Sequence, residues 1–386
     1  MLRDVAIIGV GCTGFKSITP EVSYKELMFE AATRAYEDAG VDPRKDIDAF
    51  VCCSEDYWEG YSIFDEFVPD QLGAALRHLF TVTADGLFGL ATAYMLIRTG
   101  EIDTVVVEAH SKASDVLTFP GIVAFALDPI FNRPIGGHPH YIAGLEMNRY
   151  LHETGATRDN CAQVVVKNKR NALANPYAAH AISLAVEDVL ASEPLFHPLN
   201  RLDISPLADG GIVMVLASGH VAKKLSEKPV WIRGVGWNSD SSWLESREWG
   251  RAVYAELAAE MAYKTAGIRN PNKEIDFAEI DDMFSYKELQ HLEALKLCKR
   301  GEASKLTEEG VTERSGDIPV NPSGGLLGVG YALEASGLQK VLEVVLQLRE
   351  EAGKRQVCNA KTGLAQIWRG VPTATGAVAV LSREVK

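Results

Sequence analysis

The run Asn321-Pro322-Ser323-Gly324-Gly325-Leu326-Leu327-Gly328-Val329-Gly330-Tyr331 concentrates glycine ahead of an amphipathic helical stretch from Glu334 to Gly353. So much glycine lets backbone approach a ligand closely, which makes Asn321, Gly324 and Gly325 a candidate pocket wall. Tyr331 is its only strongly ionisable side chain, a phenol able to move a proton. The structural alternative is a tight strand-to-helix crossover.

Other local patterns have weaker chemical claims. Gly9-Val10-Gly11-Cys12-Thr13-Gly14 fits G-x-G-x-x-G after an apolar strand. A dinucleotide loop needs that turn to open a helix directly, so that pyrophosphate meets the helix N-terminus. Here Phe15 to Pro20 intervene and Gly234-Val235-Gly236 repeats the pattern, so a repeated strand-end turn is the better reading. His138-Pro139-His140 lacks carboxylates at ligand spacing, and Pro139 fixes an extended backbone. A loop lining a pocket is expected there, and no metal site. Lys167-Asn168-Lys169-Arg170 reads as a solvated helix face rather than a phosphate site. Six cysteines form no C-x-x-C pair, and Cys52 and Cys53 read as small buried hydrophobes.

The elements that must position these residues alternate. Val5 to Ile8 has the pattern of a buried parallel strand, and helical spacing follows from Ser23, as N-cap, to Gly40. Ile47 to Cys53 predicts a strand, Leu87 to Thr99 a helix and Thr104 to Val107 another strand, which together imply a mostly parallel α/β sheet. The second half opens like the first: Trp231 to Gly236 echoes Ile7 to Gly11, and Lys264-Thr265-Ala266-Gly267 echoes Glu37-Asp38-Ala39-Gly40. Gly211 to Leu216 and Gly376 to Leu381 close the two halves alike. The expected architecture is therefore two similar α/β halves, residues 1–226 and 227–386, the first carrying an insertion near 115–201.

The 386 residues, 47% hydrophobic and 24% charged, exclude a disordered, collagen-like or disulfide-scaffold chain. A net charge of -13 argues against nucleic acid, because phosphate backbones are held by clustered Lys and Arg. No membrane span or signal peptide is expected, and the cytoplasm is the expected compartment.

Taken in order, these stretches resemble the thiolase superfamily, in its sterol-carrier-protein-type branch. Val5 to Gly14 resembles the family's first strand, Asn175-Pro176-Tyr177-Ala178 its NPxA segment, and Asp209-Gly210-Gly211 its DGAAA segment. Ile275 to Phe284 resembles the stretch containing HDCF, and Asn321 to Gly325 reproduces NPSGG. The resemblance implies two βαβαβαββ halves stacked as five α-β-α-β-α layers with an inserted loop domain, forming a homodimer. Coenzyme A would enter only as part of the substrate.

The departures point to different chemistry. Thiolases place a nucleophilic Cys at a helix N-terminus, where the dipole lowers its pKa. The aligned stretch here is Thr81-Val82-Thr83-Ala84-Asp85-Gly86-Leu87, which puts Thr83 at that position. HDCF becomes Asp281-Asp282-Met283-Phe284, and the GHP motif becomes Gly330-Tyr331-Ala332. A covalent cycle needs a thiolate and a second proton-moving group. Retro-aldol cleavage of a β-hydroxyacyl-CoA needs neither an acyl-enzyme nor a thiol.

Thiolase-like aldolases of steroid side-chain degradation are similar in lacking the Cys and carrying Tyr at the GHP His. The resemblance makes Tyr331 the expected base, with Asp281 and Asp282 to orient substrate or relay the proton. Thr83, Asp85, Gly86, His138, His140, Asn321, Gly324 and Gly325 are expected to bind substrate. It also implies a small zinc-ribbon/OB-fold partner. Tyr57, Trp58, Tyr61 and Phe64 could cover a bulky apolar substrate or pack at a dimer interface. Two other readings stay open: a catalytically silent acyl-CoA-binding scaffold subunit, and a divergent acyltransferase.

Overall fold

The computed structural model describes residues 3–55, 63–241 and 243–385. The strands are β1 (Val5–Cys12), β2 (Ala49–Cys53), β3 (His78–Val82), β4 (Thr104–Ser111), β5 (Pro194–Phe196), β6 (Leu199–Asn200), β7 (Gly210–Ser218), β8 (Val230–Ser239), β9 (Phe277–Glu279), β10 (Thr362–Trp368) and β11 (Thr375–Ser382). All but the β5-β6 ribbon join one sheet in the order β3-β2-β4-β7-β1-β8-β11-β10-β9. From the β1/β8 seam outward, β1-β7-β4-β2 is matched by β8-β11-β10-β9. In each set the pairings are antiparallel, antiparallel, then parallel, so the sheet is mostly antiparallel rather than mostly parallel as expected, with β1 antiparallel to both its neighbours. The repeat seen in sequence is a repeat of sheet topology. The seam itself is narrow, pairing Ala6 with Trp231 and Ile7 with Val230.

Among the described residues, seven helices run ten residues or more: α1 (Tyr24–Ala39), α2 (Gly86–Thr99), α3 (His140–Thr154), α4 (Arg158–Ala172), α5 (Val253–Ala266), α6 (Ser285–Ala294) and α7 (Ser336–Arg349). Helix α1 begins with a capping box between Ser23 and Glu26 and ends at Gly40 in the left-handed conformation, as the sequence predicts. It covers β1 and β7 on the outside, as α5 covers β8 and β11. Helix α2 packs on strands of both halves and on α7. These are the α-β-α-β-α layers that the resemblance implies.

The repeated G-x-G is explained by this layering. A Cβ on Gly9 would lie 2.5 Å from the Ala35 carbonyl oxygen, and one on Gly11 2.1 Å from that of Ala31. Gly234 and Gly236 stand in the same relation to Ala262 and Ala258, at 2.2 and 2.0 Å. Glycine on the strand faces alanine on the helix, so strand and helix backbones close to contact. No ligand is needed to account for the motif.

Helices α3 and α4 and the β5-β6 ribbon lie between Ser111 and Gly210, where the strand-helix rhythm lapses. The expected solvated basic face on α4 is a correction. Lys167 Nζ donates to Glu288 Oε1 at 2.5 Å and to the Val320 carbonyl at 3.1 Å, while Lys169 Nζ donates to the Leu327 carbonyl at 2.9 Å. Both ammonium groups are buried, and only Arg170 of the basic run reaches solvent. Cys52 and Cys53 are buried as expected, but Cys52 also donates from Sγ to Glu108 Oε2 at 2.6 Å. The amphipathic stretch becomes helical at Ser336, leaving Glu334 in the turn Leu333–Ala335.

Candidate active site

Tyr331 is locked by its backbone between two residues that precede β7. Its N–H donates to the Pro206 carbonyl at 2.8 Å, and its own carbonyl accepts from Ala208 at 2.9 Å. The side chain then points into a cavity with two compartments. The larger, about 380 Å³, is walled by Phe119, Ile122, Val123, Phe125, Met283 and Val371, with Arg133 at one side. The smaller, about 40 Å³, is lined by Glu55, Asp85, Leu333, Glu334, Trp368 and Arg369. Tyr331, Glu55 and Arg369 line both, so the apolar chamber has a polar floor. An apolar pocket with a few convergent polar groups is the usual form of a small-molecule site.

Each floor residue has a structural reason for its place. Asp85 caps α2: Oδ1 accepts from the Leu87 N–H and Oδ2 from the Gly337 N–H, both at 2.8 Å. Burial pushes its carboxyl up to about 7, although those amides pull the other way. Glu334 accepts from the Glu55 N–H at 3.0 Å. Arg369, on the β10-β11 hairpin, forms an ion pair with Glu55 and donates from Nη2 to the Thr83 carbonyl at 2.8 Å. Gly370 follows at φ +83°, and a Cβ there would sit 3.3 Å from both the Met283 Sδ and the Tyr331 hydroxyl. Burial, then the charges of Glu334, Asp281 and Asp85, push the Tyr331 phenol well above its ordinary value.

Asp281 lies behind this floor. Its Oδ1 accepts from the Met283 N–H at 3.0 Å and its Oδ2 from the Trp368 N–H at 3.2 Å, so it joins the two chain segments that shape the cavity. Burial pushes its carboxyl up to about 6, opposed by Lys340. Asp282 faces away from the cavity. It accepts from Leu326 N–H at 2.6 Å and Asn168 Nδ2 at 2.8 Å and pairs with Lys340. It therefore holds the Gly325–Val329 turn, and is not placed to touch a substrate in this cavity.

Several predicted residues are not brought to the cavity. Asn321 is buried among backbone and Glu288 contacts, and Gly324 packs on Ala172 of α4. Gly325 backs onto Asp282. The glycine-rich run is thus the crossover reading rather than a pocket wall, with Tyr331 at its end the exception. Gly86 packs against Leu338 of α7. Thr83 is exposed and lines neither compartment; its carbonyl, not its hydroxyl, serves by anchoring Arg369. His138 stacks on Phe196 and His140 meets Phe284 edge-on, with the two imidazoles 4.6 Å apart. Burial lowers both, His140 to about 4, so it is neutral at physiological pH. Tyr57, Trp58 and Tyr61 lie outside the described residues, while Phe64 is buried against the His110 ring.

Residues 238–383 match the family described as thiolase C-terminal domain-like. The chain is 33% identical to an acetyl-CoA acetyltransferase of Methanothermobacter thermautotrophicus over 99% of this chain and 100% of that protein. The chain belongs to the thiolase superfamily. It is also 30% identical to human sterol carrier protein 2, over 94% of this chain and 69% of that protein. Among solved structures, an Ltp2-ChsH2(DUF35) aldolase chain is similar at TM-score 0.85 and 27% identity, covering 100% of both chains. A monomeric SCP2-thiolase-like protein from Mycobacterium smegmatis shares the fold at TM-score 0.74, with 22% identity over 100% of this chain and 78% of that one.

Glu55, Glu334, Arg369 and the Phe119–Phe125 wall escaped sequence reasoning. Glu334 carried a signal, being a lone acid between the glycine run and the apolar helix. Arg369 carried a fainter one, as a charge in the turn of the last hairpin.

Proposed function

We propose that this chain cleaves a β-hydroxyacyl-CoA by a retro-aldol reaction that passes through no acyl-enzyme. The observation that carries this reading is the polar floor itself. It assembles a phenol, buried carboxylates and a guanidinium around one small recess, and none of the six cysteines lines it.

The protonation states favour a reversal of the role that sequence alone suggested for Tyr331. A phenol held above its ordinary value keeps its proton at neutral pH, so it is a poor base there and enters the reaction as the protonated partner. Asp85, poised at about 7, is the better acceptor, with Glu334 beside it. The floor carboxylate takes the β-hydroxyl proton, the Cα–Cβ bond breaks, and its electron pair passes to the thioester as an enolate. Arg369 is placed to stabilise the enolate oxygen, and Tyr331 delivers a proton to Cα. The products are an aldehyde or ketone and a shortened acyl-CoA. The net proton returns from the carboxylate to the phenol, so the cycle closes without an external reactant.

The solved Ltp2-ChsH2(DUF35) aldolase neighbour supports both the reaction class and a partner subunit, which the family resemblance implies is of the zinc-ribbon/OB-fold kind. Incubating the chain, with such a partner supplied, with β-hydroxyacyl-CoA esters and assaying carbonyl release tests the proposal. Absence of release across short, branched and ring-bearing acyl chains would overturn it. The full-length identity to an acetyl-CoA acetyltransferase favours acyl transfer as a second reading. An acyl adduct on the intact protein by mass spectrometry would establish that instead.

A further inference from the structure

Arg133, half-buried where it lines the apolar chamber, is a cation without a counter-charge among the described residues. Its Nη2 donates to the backbone carbonyls of Phe125 at 2.7 Å and Leu127 at 3.2 Å, and the guanidinium lies 5.0 Å from the centre of the Phe125 ring. Among the described residues it forms no ion pair, and its Nε is buried with no hydrogen-bond partner. The other guanidinium of the cavity, Arg369, is paired with Glu55. In a chain of net charge -13, carboxylates are plentiful, yet among the described residues none pairs with Arg133.

A guanidinium presents five N–H groups in a fork that suits a planar oxyanion, and the two carbonyls occupy only one of its nitrogens. Leaving a buried donor unmade is costly, so the site gains from a ligand that fills it. The geometry points to Arg133 as the receptor for a carboxylate carried on the acyl group, at the end remote from the thioester. The substrate class is then an acyl-CoA with an apolar body and a second, anionic end. This rests on the reading that the reacting end lies at Tyr331, with the apolar wall between Tyr331 and Arg133 packing the body. A phosphate of coenzyme A has the same chemistry as a source of anionic oxygen, and the test separates the two.

Saturated, unreactive acyl-CoA esters ending in a carboxylate, and their methyl esters of equal length, are titrated into the full chain by calorimetry. The same pair is titrated as pantetheine thioesters, which lack the nucleotide phosphates. The acid is expected to bind about tenfold tighter than its methyl ester in both series, as a charge-assisted fork predicts. Arg133→Gln abolishes that preference while leaving methyl-ester affinity unchanged, and Arg133→Lys keeps part of it. Because Arg133 also ties down the loop through Phe125 and Leu127, a purely structural role would weaken acid and ester alike. That result overturns the proposal, as does equal binding of the two by the wild type or a preference that survives Arg133→Gln. Weakening of both ligands in the coenzyme A series alone assigns Arg133 to a phosphate and also overturns it. Binding without preference leaves the acyl-thioester reading standing, whereas no binding of any ester removes both.

Discussion

A carboxylic acid and a phenol that share a buried recess divide the proton work by their environments. Asp85 stands at about 7 and Tyr331 well above its ordinary value, so at neutral pH one can accept while the other still holds its proton. Tyr331→Phe should lower kcat by about 10²–10⁴-fold with little change in KM, read by steady-state carbonyl release. In the wild type, kcat/KM should rise as pH climbs through about 7, and Asp85→Asn should remove that limb. Stability carries the opposite sign. The folded pKa of Asp85 lies above the unfolded value, so the folded state binds more protons between about 4 and 7 and loses stability as pH rises through that window. Asp85→Asn should therefore melt at a progressively more favourable temperature relative to wild type as pH is raised from about 5 to 8. Tyr331 was legible because it stands where a family motif has His. The direction proposed for its proton transfer was not, because that rests on Glu334, Asp281 and Asp85, which only folding gathers.

At the scale of elements, the glycine-rich turn and its acid form one unit. A side chain on Gly325, at φ +58°, would place Cβ 2.1 Å from Asp282 Oδ2. Gly325→Ala should destabilise the fold by about 2–4 kcal/mol, from backbone strain and the displaced carboxylate together. Asp282→Ala strands the buried Lys340 ammonium and the amides of Leu326 and Leu327. A loss of about 3–5 kcal/mol is expected, measured by urea unfolding. Both residues are prominent in the sequence, where Gly325 reads as part of a pocket wall and Asp282 as a group that orients substrate or relays a proton. Composition marks where backbone comes close to something, but not whether that something is a ligand or an Asp two helices earlier in the chain. The same ambiguity attended Gly9 and Gly11, whose neighbour is α1. Lys167 shows the reverse error: its charge suggested solvent, and its partner Glu288, 121 residues on, lies beyond any local pattern.

For the whole molecule, the duplication was legible because each half repeats strand, glycine pair, alanine-faced helix and closing strand. Its chemistry was not, because the floor is a joint product. Glu55 and Asp85 come from one half, and Tyr331, Glu334 and Arg369 from the other, tied across by the Glu55–Arg369 ion pair and the Arg369–Thr83 hydrogen bond. The sheet that links the halves crosses between them at two residue pairs. Ordinary tertiary unfolding and loss of catalysis therefore need not coincide. A small parting of the halves would separate the proposed proton acceptor from the proposed donor while every strand except β1 and β8 at the seam keeps its neighbours. In a urea titration, turnover should vanish at a lower concentration than helical circular dichroism or buried-tryptophan fluorescence, and coincident transitions would argue against it. On the proposed mechanism the chain carries its own assembly check: with only one finished half it would hold an acceptor without its donor, or a donor without its acceptor, and could start no reaction.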